Sequence, residues 1–116
     1  MFETYEITKE KWKTLVKVLS DKFGIEPDLQ AVLFLIGVQE LGAGPINYSR
    51  FEKQDLIHVA VCKLLSSAGY YELKYTDNEG WPHYDHIKQI PQMKLGEQDL
   101  LLKEMAIKYF NALDLI

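Results

Sequence analysis

Three side chains in one stretch of the sequence, Asp55, His58 and Cys62, have types and spacing that could do chemistry. On a helix, residues three and four apart lie one above the other, so all three lean over a single strip of surface. Imidazole, thiolate and carboxylate together could accept a metal ion. A Cys–His pair could also act as a nucleophile, because a neighbouring imidazole can take the thiol proton. Both readings compete with plain packing, since the strip flanks an apolar helix face where His and Cys serve as boundary residues. No second ligand cluster with metal spacing follows elsewhere, so the expectation is no metal and no cofactor, with His58 and Cys62 carrying the alternative of a small enzyme.

Two further constellations fail on spacing. His83 and His86 would converge on one ion only in a helix; in a strand, residues three apart point to opposite faces. Gly42-Ala43-Gly44 follows a helix instead of a strand and lacks the lysine and hydroxyl of a phosphate loop. Helix termination and a sharp turn explain it better.

Aromatic side chains gather from residue 70 to 84: Tyr70, Tyr71, Tyr75, Trp81 and Tyr84. Alternation along a ribbon sets Tyr70 and Tyr84 on the face away from Tyr71 and Tyr75. The outward rings, with Trp81, would form a contact surface, since Tyr and Trp are enriched at interfaces. The chain then ends in Leu113, Leu115 and Ile116, an apolar tail where fraying is the norm. Tyr70, Trp81, Tyr84, Leu115 and Ile116 are therefore the expected interaction surface, and self-association into a homodimer the expected use. The competing arrangement folds the tail back over the first helix, near Phe2 and Tyr5.

The elements that must position these residues are legible from periodicity. Trp12, Leu15, Val16, Leu19 and Phe23 mark a first helix, with Thr8 as N-cap, Ile7 and Trp12 as a staple, and Gly24 as its stop. Pro27 and Asp28 suit the start of a second helix, apolar nearly all round from residue 29 to 41 and therefore buried. Gly37 within it costs roughly 1 kcal/mol against Ala, a cost explained if a neighbouring backbone crosses close by. Ser49 and Glu52 form a capping box for a third helix, with Ile57, Ala60, Val61, Leu64, Leu65 and Ala68 inward and Gly69 at its end. The period then becomes two. Residues 71–75 and 81–87 read as strands around Asp77-Asn78-Glu79-Gly80, with Pro82 forcing an edge position or a late start. A last helix begins near Gly96, with Leu95 and Leu100 as staple and Leu102, Met105, Tyr109, Phe110 and Leu113 inward. The expected core comprises Trp12, Leu15, Leu19, Leu33, Ile36, Ile57, Val61, Leu64, Leu102 and Met105.

The fold class is thus α+β and mainly helical: three helices, a β-hairpin and a C-terminal helix, in one domain of 116 residues. That order admits a winged helix, whose third helix and wing would contact nucleic acid, or a helical bundle with an appended hairpin. Charge resists the first. With 13 Lys+Arg against 17 Asp+Glu, the net charge is −4. The third helix interleaves Arg50, Lys53 and Lys63 with Glu52 and Asp55, where phosphate binding needs clustered cations. One cysteine excludes an intrachain disulfide framework. The longest apolar run, residues 31–38, falls well short of the ~20 needed to span a bilayer. The start of the chain lacks the pattern of a signal peptide, so the expected compartment is the cytoplasm.

The segments Gly37-Val38-Gln39-Glu40-Leu41-Gly42, Glu52-Lys53-Gln54-Asp55-Leu56-Ile57-His58 with Val59-Ala60-Val61-Cys62, Gly69-Tyr70-Tyr71-Glu72-Leu73 and Gly80-Trp81-Pro82-His83 resemble those of a small bacterial protein family of unknown function. The resemblance covers most of the chain from Leu33 onward. It implies a bacterial, cytoplasmic origin and carries over no ligand or catalytic residue. The residues themselves favour a non-catalytic protein-interaction module, self-associating, over a nucleic-acid-binding regulator or an enzyme.

Overall fold

The computed structural model describes residues 2–26, 28–44 and 46–114. Among them the order is α1 (Phe2–Phe23), α2 (Leu29–Leu41), α3 (Arg50–Ser66), β1 (Tyr71–Thr76), β2 (Pro82–His86) and α4 (Leu95–Ala112). The fold is α+β and mainly helical, with one two-stranded antiparallel sheet among the described residues. The chain groups into two compact units, residues 1–32 with 93–116 and residues 33–92.

In the first unit α1 packs on α4. Leu15 and Leu19 are buried, as are Ala106, Ile107 and Phe110 on the facing helix. Trp12, Leu102 and Met105 are half-buried. Thr8 is not the N-cap of α1. The helix begins at Phe2, and Thr8 sits within it, buried, its hydroxyl donating to Glu104 Oε1 of α4 at 3.4 Å. No Gly or Pro interrupts residues 2–7, so the helix propagates past the residue that periodicity alone makes its cap. Neither expected staple forms, since Ile7 is exposed and Leu95, the first residue of α4, is 83% exposed. Gly24 does end α1, with φ +66° and its N–H on the Ser20 carbonyl at 2.9 Å. Asp28 caps α2 by accepting from Ala31 N–H at 2.8 Å, while Pro27 lies outside the described residues. The inward side of α4 differs in part from the expected one: Phe110 is buried as expected, with Ala106 and Ile107 beside it, while Leu113 is the exposed C-cap residue.

In the second unit Leu33, Ile36, Leu56 and Leu64 are buried. The cause of Gly37 is direct. A Cβ at that position would overlap the Leu56 carbonyl oxygen and lie 2.7 Å from its carbon, so α2 and α3 cross backbone to backbone there. That crossing selects the inward face of α3 as Leu56, Val59, Ala60, Leu64 and Leu65. Ile57 and Val61, expected inside, are half-buried, and Ala68 is exposed beyond the helix end. α3 carries apolar residues on two sides, and periodicity weighs them equally. The capping box is formed: Glu52 N–H donates to Ser49 Oγ at 3.1 Å and Ser49 N–H to Glu52 Oε1 at 2.9 Å. These bonds hold the Glu52 carboxyl below the ordinary range.

β1 pairs with β2 in the register Tyr71–His86, Glu72–Asp85, Leu73–Tyr84, then Tyr75–His83 and Thr76–Pro82, with a bulge between Leu73 and Tyr75. Pro82, which has no N–H to donate, starts β2 beside the turn. In the turn, Asp77 Oδ1 accepts from Glu79 and Trp81 N–H at 2.9 and 3.0 Å, and Gly80 has φ +89°.

Candidate functional site

Both groups of residues that invite a functional reading lie in the second unit. On α3 the expected strip is only partly assembled. His58 Nε2 stands 3.5 Å from Cys62 Sγ, but Asp55 is exposed and joins neither. Cys62 is 3% exposed, and burial raises its thiol above the ordinary value. A buried, protonated thiol is disfavoured as a free nucleophile, since attack needs the thiolate. Among the described residues no group of three or more His, Cys, Asp or Glu side chains is placed to hold a metal ion.

Tyr84 extends this cluster. Directly opposed residues of an antiparallel pair share a face, so the register sets Tyr84 and Leu73 on the side of Tyr71 and His86. The expected outward placement of Tyr84 is therefore corrected: the ring turns toward the helices. Burial, reinforced by Glu40 of α2 and Cys62 of α3, pushes its hydroxyl up to about 12. Lys63 Nζ reaches Glu40 Oε1 at 3.8 Å, tying α3 to α2 beside it. The arrangement is a half-buried polar seam in which the Cys62 thiol and the Tyr84 hydroxyl are both raised, and it positions the hairpin root against the helices.

The second group lies along the ribbon. The bulge moves Tyr75 to the face opposite Leu73, where its ring stacks on His83 with centroids 4.5 Å apart and an interplanar angle of 6°. His83 Nε2 meets Asp77 Oδ2 at 2.9 Å. That bond, followed by the Trp81 N–H, holds the Asp77 carboxyl below its ordinary value. On the other face Tyr71 stacks on His86 at 5.0 Å. The two histidines therefore serve opposite faces, as their spacing implies, and each is occupied by a tyrosine. Sequence reading assigned Asp77 to the turn alone. Its position six residues before His83, across the turn, was the available signal, and only the folded hairpin shows that the two side chains meet.

Of the expected interaction residues, Tyr70 is half-buried beneath the Lys88 ammonium, 5.4 Å from the ring centroid, and Trp81 is half-buried at the turn. Leu115 and Ile116 lie outside the described residues. The large apolar side chains that are exposed on the ribbon and just after it are Leu73 at 51%, Tyr75 at 51% and Ile87 at 54%. Strand alternation alone misplaces Tyr75, because the bulge reverses the faces after Leu73. Two of the basic residues here have acidic neighbours: Lys74 Nζ lies 3.7 Å from Asp85 Oδ1, and Lys63 Nζ 3.8 Å from Glu40 Oε1. No helix among the described residues is long and apolar enough to cross a membrane. Compared with protein-family models, curated proteins and solved structures, the chain matches none.

Proposed function

We propose that the protein is a non-catalytic protein-interaction module that associates with itself, and that the hairpin is its contact element. One observation carries the reading: every residue of β1 after Tyr71 is exposed, with Leu73 and Tyr75 among them and Ile87 following on the return side. A two-stranded ribbon is marginal in water unless a face is covered. This one is anchored at its root by Tyr84 and by the bonds from Ile87 and Lys88 N–H to the Tyr70 carbonyl at 3.0 and 3.3 Å. Beyond the root it offers apolar side chains, stacked rings and unpaired strand edges, the components of a β-mediated contact. The raised Cys62 thiol weakens the enzyme alternative. The acidic neighbours of Lys63 and Lys74 weaken the nucleic-acid alternative, which rests on element order.

Sedimentation equilibrium at tens of micromolar tests the proposal. The expected result is a species of twice 13.5 kDa, shifted toward monomer by Tyr75→Glu with Ile87→Glu while far-ultraviolet circular dichroism stays the same. A single species at 13.5 kDa overturns self-association. Leu115→Glu with Ile116→Glu reports separately on the C-terminal tail; a dimer sensitive only to that pair moves the contact away from the hairpin.

A further inference from the structure

The outer edge of β1 has a sequence and a backbone orientation that fit a second copy of itself. The Ile87 N–H donates to the Tyr70 carbonyl at 3.0 Å, one step before the Tyr71–His86 pair. Bonded and non-bonded pairs alternate in an antiparallel ladder, so Glu72–Asp85 is a bonded pair and Leu73–Tyr84 is not. The N–H and C=O of Leu73 consequently point away from β2, to the free edge. Around Leu73 the chain reads Tyr71-Glu72-Leu73-Lys74-Tyr75, with opposite charges at equal distances on either side. Antiparallel pairing of two such strands about a two-fold axis at Leu73 places each Glu72 opposite Lys74 of the second copy.

The charges of the hairpin itself favour that cation. Glu72 lies directly across from Asp85, two carboxylates in a position where like charges are destabilising. Asp85 is compensated by Lys74 at 3.7 Å. Glu72 makes no ion pair among the described residues. Lys74 of the second copy, arriving from across the free edge, would be shared between its own Asp85 and this Glu72.

We infer that two copies of the chain join β1 to β1 across a two-fold axis at Leu73, giving a four-stranded sheet with β2 of each copy on the outside. This deepens the proposed function and rests on the hairpin being the contact element. The Leu73 side chains meet on one face, and the Glu72–Lys74 pairs form on the other. The bulge at Lys74 breaks the edge after Leu73 and confines the shared ladder to the central pair. Bulges and edge lysines protect exposed strands from indiscriminate pairing. Here the lysine stays repulsive toward most strands and becomes complementary only in the one register that faces it with Glu72.

Charge exchange in the full chain tests the register. By symmetry each single substitution, Glu72→Lys or Lys74→Glu, creates two like-charged cross-strand contacts, and each is expected to weaken the dimer about tenfold. The double exchange Glu72→Lys with Lys74→Glu should restore it to within about threefold. A second measurement uses Leu73→Cys in a Cys62→Ala background. Hydrogen-bonded partners stand about 5.5 Å apart at Cα, inside disulfide range, so mild oxidation should give a covalent dimer faster than Glu79→Cys at the turn. Restoration and cross-linking together support the inference. A dimer that Tyr75→Glu with Ile87→Glu weakens, but that shows neither, overturns the β1–β1 geometry and leaves the hairpin as contact element. A dimer indifferent to every hairpin substitution, or a monomeric wild-type chain, overturns both.

Discussion

The second unit holds two histidines beside a second reactive group, and their surroundings act in opposite directions. His58 stands by Cys62 at the edge of the α2–α3 core, where loss of water raises the thiol. His83 stands by Asp77 at the turn of the hairpin, where hydrogen bonds from the imidazole and two backbone amides lower the carboxyl. In the first pair desolvation dominates and the acid stays neutral. In the second, hydrogen bonding dominates and the acid stays charged. The same ring next to an acidic group therefore reads as packing at one site and as a structural clamp at the other. Neighbourhood, and not residue type, separates them.

That contrast is most sharply tested through stability. Leu56→Ala, beside the α3 strip and against Gly37, should cost roughly 2–5 kcal/mol by chemical denaturation, because it opens a cavity at a backbone crossing. Leu73→Ala on the ribbon should stay within about 0.5 kcal/mol at concentrations where the chain is monomeric. Equal losses at the two positions would dissolve the distinction between core and contact surface. Gly37→Ala belongs with the first: although Ala favours helices, the overlap with the Leu56 carbonyl predicts a net loss of about 1–3 kcal/mol from overpacking.

Thiol chemistry gives the next largest effect. Alkylation of Cys62 in the folded protein should run about a hundredfold slower than in the unfolded chain, since a buried, protonated thiol reacts only through opening of the structure. Rapid modification under native conditions would return Cys62 to the list of candidate nucleophiles.

Tyr84 should titrate, by ultraviolet difference spectroscopy, at about 12 against about 10 for an ordinary phenol. Because its folded value lies above the unfolded one, its contribution to stability is complete below about pH 10 and disappears as pH rises through 12. Phe in its place should remove that transition from the spectrum. A Tyr84 titrating with the exposed tyrosines would show that the ring does not turn inward.

The smallest effect is expected at Asp77. Its folded value is depressed, so the stability it contributes is present above the unfolded value of about 3.9 and is lost as pH falls toward the folded one. Acidification below pH 4 should loosen the turn, seen as merging of the Glu79 and Trp81 amide resonances toward random-coil positions. Asp77→Asn should make those resonances insensitive to pH over the same window. Persistence of the transition in that variant would assign it to another carboxyl.

Much of the architecture is legible along the chain because its signals are local. Ser49 with Glu52 announces a cap, Gly24 and Gly69 stop helices, and the change of period after Gly69 announces the ribbon. Gly37 could even be read as the mark of a close crossing, since a glycine inside a buried helix needs a steric cause. The failures share a different character. Thr8 looks like a cap because local pattern cannot see that Glu104, far along the chain, will accept its hydroxyl. Ile57 and Val61 look as inward as Leu56 and Val59 because periodicity does not know which side of α3 meets α2.

For this protein the sequence by itself determined the element types and their order, the charge balance, and the fact that His83 and His86 serve opposite faces. These follow from dihedral preferences, side-chain period and composition, which each residue carries wherever it is placed. The tertiary structure alone decided that Cys62 is buried and its thiol raised, that Tyr84 faces the helices, and that Asp77 closes on His83. It also decided, through a single bulge, which face of the ribbon carries Tyr75. Those outcomes depend on solvent exclusion and on pairing register, and one extra residue in a strand is enough to reverse every face beyond it.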